Sequence, residues 1–474
     1  MSATIYHITD TSRPLSEILA DSGVKLDLRC GGHGVCGRCR VTLVTGRWAV
    51  AGRLVEAPAE ANACQARLVS ETGSVSVPDG ALLRNATTGT ALDRWRKTRP
   101  LDDCPELTIG CDIGTTTLAV AAIQHGRGIS KASCYNPQAE FGDNVMARIS
   151  AALEHLAEMR DSVRKALHDL IQLLSPLPSP PARVAIAGNS TMTCLFHGID
   201  PHSLGVHPFT LPARDFPVLS GDCLGLPEDV PVCTVPPATA FIGGDIVAGL
   251  AEVTLQPGDA FMDLGTNCEM VIRLPDGTYC GTAAAAGPAF EGSGISCGSR
   301  AVPGAISAYR SPTDMDVISD AAPTGVCGTA LVDVLAVWRR MGRLSPFGRL
   351  VPPAACGEIT AGISLTEEDI AKLVLAKAAV AAGFQTLQKH CGFTPRRLML
   401  AGGFASELDI DNARAIGLLP DIPVAIVENT SLAGAMRLAC RPSRYDEMKA
   451  LRVNEFLLND DPTFENAFID AMRL

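Results

Sequence analysis

Leu107-Thr-Ile-Gly-Cys-Asp112-Ile-Gly114-Thr115-Thr116-Thr117-Leu-Ala-Val-Ala-Ala-Ile123 reads as an apolar strand, a polar turn and a second apolar strand. The turn offers a carboxylate, a glycine and three hydroxyls. Such a hairpin suits phosphate, because backbone N–H groups and threonine hydroxyls donate to its oxygens. Asp112 then faces a metal ion through water, since Mg²⁺ keeps several waters. One Asp-x-Gly turn is commonplace; its repetition is not. Ala260-Phe-Met-Asp263-Leu-Gly265-Thr266-Asn267-Cys-Glu269-Met-Val-Ile272 runs again through strand, Asp-x-Gly-Thr and strand. Two such hairpins facing each other across a cleft hold one polyphosphate.

Arg397-Leu-Met-Leu-Ala-Gly402-Gly403-Phe-Ala reads as a buried strand ending in paired glycines. A backbone without Cβ atoms lets a flat nucleoside approach closely. Val184-Ala-Ile-Ala-Gly188-Asn189-Ser-Thr and Glu428-Asn-Thr-Ser431-Leu-Ala-Gly434-Ala read as small-residue crossings between two lobes. No G-x4-G-K-[ST] occurs, which excludes a P-loop. No G-x-G-x-x-G stands between a strand and a helix.

The N-terminal part carries different chemistry. Cys30-Gly-Gly-His-Gly-Val-Cys36-Gly-Arg-Cys39 is C-x5-C-x2-C, with Cys64 following in Ala-Cys-Gln-Ala. Four thiolates are what two bridged irons need. Glycines let the loop wrap tightly and aim N–H groups at anionic sulfides. A zinc knuckle shows two C-x2-C pairs, and this stretch has one. A disulfide framework goes with a secretory signal, which Met-Ser-Ala-Thr-Ile-Tyr-His does not begin. The spacing resembles plant-type ferredoxins with one extra residue in the first gap, as in the adrenodoxin-like ferredoxins. Around it, Ala3–Ile8 alternates as a strand, and Pro14–Asp21 suits a short amphipathic helix. Arg40–Val44 and Val75–Val77 return to strand. A few strands on one helix is the β-grasp pattern.

With 47% hydrophobic and 19% charged residues the chain has a core-forming composition. A net charge of −11 argues against nucleic acid and against an anionic membrane surface. No uncharged apolar run reaches membrane-spanning length. Seventeen cysteines, an odd number, suit a reducing compartment, so the cytoplasm is expected. Cysteines beyond the four in the cluster set read as small buried hydrophobes; Cys111, Cys268 and Cys297 lie near the proposed cleft, with a second metal site as the other reading.

The resulting fold class is mixed α/β and α+β, multidomain. A small β-grasp [2Fe–2S] ferredoxin domain spans 1–80, and a linker, polar then basic with Pro100 and Pro105, spans 81–105. The order of motifs in 106–440 resembles the acetate kinase, sugar kinase, Hsp70 and actin superfamily. That implies a two-lobed, ribonuclease H-like ATPase domain, lobe I about 106–235 and lobe II about 236–430. The tail 441–474 reads as a helical surface segment.

Further stretches narrow the resemblance. They are Asn136-Pro-Gln with Gly142-Asp-Asn-Val-Met-Ala-Arg-Ile, Gly243-Gly-Asp245-Ile-Val-Ala-Gly, Gly287-Pro-Ala-Phe-Glu291-Gly, Gly325-Val-Cys-Gly-Thr-Ala-Leu-Val-Asp and Gly417-Leu-Leu-Pro. With the ferredoxin head they resemble the reductive activators of corrinoid-dependent methyltransferase systems, the RACo-like proteins, over nearly the whole chain. Those activators often carry an additional small domain between ferredoxin and ATPase parts, for which 81–105 leaves no room.

The resemblance implies that one electron returns a corrinoid protein from Co(II) to Co(I), with ATP and Mg²⁺ as cofactors. It also implies a low-potential electron donor and a homodimer, with no nucleic acid and no membrane as partners. The transfer is uphill. A plant-type centre sits at about −400 mV, and the cobalt couple is expected lower. A gap on the order of 200 mV leaves about one part in a few thousand as product. Nucleotide-driven change in the angle between lobes then separates the partners. In that scheme Asp112 and Asp263 organise Mg²⁺ and the attacking water. Thr115–Thr117 and Thr266 hold phosphates beside Gly114, Gly265 and Asn267, and Gly402 and Gly403 line the adenine side. Asp245 is the candidate general base, the other reading being a helix cap. Glu269 and Glu291 read as helix or loop ligands without a catalytic part. Competing readings are a metabolite kinase with a fused redox sensor, a non-hydrolysing electron carrier with a nucleotide clamp, and an activator of another radical or dehydratase enzyme.

Overall fold

The computed structural model describes residues 4–24, 26, 39–78, 81, 104–142, 144–174 and 177–474. Cys30 and Cys36, Asp143 and nearly all of the linker expected at 81–105 lie outside the described residues. The chain divides into two compact units, one of 1–85 with 137–143 and one of 86–136 with 144–474.

In the first unit, β1 (Thr4–Ile8) and α1 (Leu15–Asp21) match the strand and helix read from the sequence. They are followed by β2 (Arg40–Thr45), β3 (Arg47–Val50), β4 (Arg53–Glu56), β5 (Ala59–Asn62), β6 (Ala66–Leu68) and β7 (Gly73–Val77). One sheet has the order β1-β7-β2-β5 and a smaller one β4-β3-β6. Alternation in β2 buries Val41 and Leu43, which join Leu15, Leu19 and Trp48 in one core.

The second unit is built on a repeated sheet. β8 (Thr108–Ile113), β9 (Thr117–Gln124) and β10 (Arg127–Tyr135) form an antiparallel meander. After the helix α2 (Val145–Leu173), β11 (Arg183–Gly188) lies parallel to β8. The helix α3 (Ser190–His197) follows it. β12 (Leu219–Ser220) and β13 (Pro231–Thr234) complete the order β10-β9-β8-β11-β13-β12. Then comes α4 (Gly244–Glu252). A second meander uses β14 (Ala260–Leu264), β15 (Cys268–Arg273) and β16 (Tyr279–Ala284). A small subdomain of β17 (Ala305–Ser311), β18 (Asp314–Val317), β19 (Gly325–Val326), α5 (Gly328–Arg340), β20 (Cys356–Thr360) and β21 (Ile363–Thr366) intervenes. α6 (Glu367–Cys391) leads to β22 (Leu398–Ala401) and β23 (Val424–Glu428), parallel to each other, with β22 parallel to β14. The second sheet therefore reads β23-β22-β14-β15-β16, the first sheet's pattern again.

Two features differ from the sequence reading. The helix α7 (Thr430–Cys440), from the far end of the chain, covers the first sheet: Leu432, Ala433 and Met436 cluster with Ala121 and Ile123. Lobe boundaries drawn along the sequence miss this return. The tail is also more than a helical surface segment. Beyond α8 (Arg444–Ala450), β24 (Val453–Glu455) adds to the second sheet beside β16, and α9 (Phe464–Ala471) packs on α6. An unpaired β16 edge and the apolar side chain of Val453 explain the strand. Among the described residues α6 is the one helix long and apolar enough to cross a membrane, and 78% of its apolar window is buried in the protein.

α4 and α7, each following the last parallel strand of its sheet, cross each other on small residues. A Cβ on Gly434 would stand 2.4 Å from the Ala248 carbonyl oxygen, and one on Gly249 2.8 Å from Thr430 Oγ1. Backbone cannot yield as a side-chain tip can. Gly434→Val is therefore expected to destabilise the second unit by about 1–3 kcal/mol, read as a lowered melting temperature.

Candidate functional site

The repeated sheets bring their two hairpins together. In the first, the Gly114 N–H donates to the Thr117 carbonyl at 3.0 Å; in the second, the Gly265 N–H donates to the Asn267 carbonyl at 3.0 Å. Thr117 and Asn267 thus close their turns through backbone. The hydroxyls of Thr116 and Thr266 meet at 3.2 Å. Thr116 donates to Glu291 Oε2 at 2.6 Å and Thr266 to Glu291 Oε1 at 2.8 Å. Thr115 is held from lobe I: Asn189 Nδ2 donates to its hydroxyl at 3.0 Å, and buried Arg148 donates to its carbonyl at 2.6 Å. Asn189 also caps α3, accepting from the Met192 N–H, so one side chain serves helix and hairpin.

Asp112, at the end of β8, is gripped from the far end of the chain. Asn429 Nδ2 donates to its Oδ2 at 2.9 Å and the Ser431 hydroxyl to its Oδ1 at 2.8 Å. Asn429 caps α7. The residue before it, Glu428, holds φ +59°, a left-handed backbone conformation costly for a side chain of this kind. Sequence reasoning took 428–435 for a packing crossing and missed both partners of Asp112. The only local sign was the Asn-Thr-Ser run, which also reads as a plain helix cap.

Asp245 lies in the first turn of α4 and accepts from the Ile246 N–H at 2.8 Å, while the N-cap position itself is Gly243, with no side-chain cap bond. It is also close enough to Asp112 and Asp263 for the three charges to interact. Burial, reinforced by the Asp112 charge, pushes Asp245 up to about 7. Burial, with the charges of Asp245 and Asp112, pushes Asp263 up to about 8. Asp112 is raised by burial against the opposing pull of its Asn429 and Ser431 hydrogen bonds. Glu269 stands opposite Asp263 in the β14–β15 register, and burial raises it well above the carboxylate range. A cleft of half-buried oxygens that resist carrying negative charge suits a cation with hard-oxygen preference. Among the described residues no group of three or more His, Cys, Asp or Glu side chains is gathered closely enough to hold a metal ion unaided. Mg²⁺ does not need such a cage, since waters and phosphate complete its shell.

The paired glycines divide. Gly402, at φ +107°, backs onto the cleft: a Cβ there would stand 2.6 Å from the Leu264 carbonyl oxygen and 2.9 Å from Asp263 Oδ1. Gly403 faces open space. Cys111 and Cys268 are wholly buried, with thiol pKa values raised by burial, which fits core packing. A cavity of about 480 Å³ lined by Phe209, His390, Glu455 and Phe456 among others lies elsewhere and includes none of these residues.

In the first unit Cys39 immediately precedes β2, and Cys64 follows β5 in a short 3-10 turn. The pairing of β2 with β5 and an Ala63 N–H to Cys39 carbonyl bond of 2.9 Å draw the two together. Their Sγ atoms are buried and 3.4 Å apart. A disulfide needs about 2.05 Å, whereas two thiolates on one tetrahedral metal at bonds of about 2.3 Å stand about 3.8 Å apart. The pair fits metal ligation.

Comparisons with known proteins accord with this geometry. Residues 5–69 match a 2Fe-2S iron–sulfur cluster binding domain. Residues 107–257 match the RACo middle region, and 259–474 match the C-terminal domain of RACo, the ASKHA domain. A corrinoid activation enzyme, RamQ, of Eubacterium limosum is 30% identical over 70% of this chain and 64% of its own length. A [Co(II) methylated amine-specific corrinoid protein] reductase of Methanosarcina barkeri is 28% identical over 60% of this chain and 62% of its own. The matches thus span under two thirds of the length of these relatives. The solved structure of a reductive activator for corrinoid, iron–sulfur protein superposes with a TM-score of 0.70, covering 98% of this chain and 96% of that one at 24% identity. That likeness carries the fold: an N-terminal ferredoxin-type domain followed by an actin-like α/β domain.

The raised carboxyl groups make stability depend on pH. Asp263 holds its proton more tightly in the fold than in the unfolded chain. Its contribution is therefore complete below the ordinary aspartate range and lost as pH rises through about 8. Without divalent cations, Asp263→Asn is expected to be more stable than the wild type at pH 8, by on the order of 2 kcal/mol, with the difference fading toward pH 4. Thermal melts across that range in a chelating buffer measure it.

Proposed function

The chain belongs to the RACo family, and from that premise we propose that it is an ATP-dependent reductive activator of a corrinoid protein. In this reading the substrate is Co(II) in the partner's corrinoid, and the product is Co(I), competent for methyl transfer. The reading includes a low-potential electron donor, a homodimer and a cytoplasmic location. The observation that carries the nucleotide part is the meeting of Thr116 and Thr266, hydroxyls from two hairpins of opposite lobes.

Cys30, Cys36, Cys39 and Cys64 would hold a [2Fe–2S] cluster, which when bound supplies one electron at a time at low potential. Cys39 and Cys64 are already drawn together by the β2–β5 register. Asp112 and Asp263 would hold hydrated Mg²⁺, and Asp112 is oriented for it by Asn429 and Ser431. Thr115, Thr116 and Thr266 donate hydroxyls to phosphate oxygens, while Gly114, Gly265, Thr117 and Asn267 shape the two turns. Gly402 keeps its strand end close to Asp263, and Gly403 leaves an open face for the nucleoside. Asp245, held near neutrality, can accept a proton from an attacking water. The division 1–80, 81–105 and 106–440 with a tail is proposed to separate electron delivery from nucleotide work. The α4–α7 crossing is the contact about which the lobes change angle.

Two variants separate the halves. Asp112→Asn is expected to abolish ATP turnover, measured as released phosphate, while the visible cluster spectrum stays intact; loss of both would show that the halves do not act separately. Cys39→Ser is expected to lower iron and acid-labile sulfide while ATP still binds. The function itself is tested optically. Reduced protein mixed with a Co(II) corrinoid protein should build the Co(I) band over repeated cycles only with ATP. ATP consumption in proportion to a small acceptor would favour a kinase instead.

A further inference from the structure

Glu291 accepts hydrogen bonds from both hairpins at once, 2.6 Å from Thr116 and 2.8 Å from Thr266. A hydroxyl has one proton to donate. With both protons given to Glu291, neither threonine has one left for a phosphate oxygen. Each can accept a second bond, but a phosphate oxygen has no proton to offer. A phosphate taking these donors also arrives beside a carboxylate of like charge.

The reach of Glu291 is built in. It ends the 3-10 turn Pro288–Glu291, and Gly292 at φ +76° turns the chain away. A Cβ on Gly298 would stand 2.4 Å from the Gly292 carbonyl oxygen, so the following loop folds back hard on that turn. Phe290 is buried, and its carbonyl lies against Gly328, where a Cβ would overlap it. Its ring stacks on Phe404 at 5.5 Å. Phe404 directly follows Gly402 and Gly403. The turn that aims the carboxylate is thus tied to the strand end assigned to the nucleoside.

We propose that Glu291 is a positioning residue that competes with the terminal phosphate of a nucleoside triphosphate for the hydroxyls of Thr116 and Thr266, so that nucleotide arrival unfastens the two hairpins. The proposal rests on the nucleotide reading above. It gives that reading a local origin for the change in lobe angle: one carboxylate spans both lobes and loses its grip when phosphate takes its donors. A diphosphate, lacking the terminal group, leaves the carboxylate in place.

The test is calorimetric titration of the full-length, cluster-loaded protein with MgATP and MgADP, for wild type, Glu291→Ala and Glu291→Gln. Glu291→Ala should bind ATP about tenfold more tightly, the scale of a lost competing charged hydrogen bond. Glu291→Gln should fall between it and wild type, and ADP affinity should move by less than about twofold. Equal or weaker ATP binding by the variants overturns the proposal while leaving the nucleotide site standing, as does equal tightening for ADP. If wild type and variants all fail to bind ATP, the nucleotide reading falls and the proposal with it. Should Glu291→Ala not fold, judged by its melt and cluster spectrum, the isosteric Glu291→Gln decides alone.

Discussion

Three aspartates that repel one another share one half-buried cleft, and most of the second unit is arranged to tolerate them. Asp112 comes from β8, Asp263 from β14 and Asp245 from the first turn of α4. Burial raises all three, and neighbouring aspartate charges add to it for Asp245 and Asp263. Such a site is costly unless something positive enters it. The fold offsets part of the cost with Asn429 and Ser431 on Asp112. In the proposed nucleotide site the remainder would be a driving force for binding a hard cation together with the phosphates that accompany it.

Holding the aspartates in one place requires two sheets of the same design to be joined at a fixed spacing. That spacing is set by α4 and α7, whose contact tolerates no Cβ at Gly434. An ion pair between Arg437 of α7 and buried Glu252 of α4, 2.6 Å, fastens the crossing near the other end of both helices. Backbones this close slide or rotate as units rather than bend. In the proposed nucleotide-driven cycle, a small change at the hairpins would be passed on through this crossing as a change in lobe angle.

The N-terminal unit follows a different logic. Its core is small, and Cys39 and Cys64 are placed by strand register rather than by a large framework. A metal cluster bound there also adds folding free energy to a small unit. Joining it to a nucleotide unit in one chain would match the energetic demand of the proposed uphill single-electron transfer, where the forward step has to be separated from its reversal.

The sequence by itself determined whatever is local. Asp112-x-Gly-Thr and Asp263-x-Gly-Thr declared two hairpins, residues 40–44 declared a strand, and the cysteine spacing pointed to the 2Fe–2S type of domain that residues 5–69 match. These signals are legible because turn chemistry and side-chain period act over a few residues. The tertiary structure alone decided who holds whom: Asn429 and Ser431 on Asp112, Glu291 between Thr116 and Thr266, α7 on the first sheet and β24 on the second. Those partners lie far apart along the chain, and Asn, Ser and Glu occur in many surface turns. Only the burial that brings distant segments together gives one such side chain a carboxylate or a hydroxyl to bind.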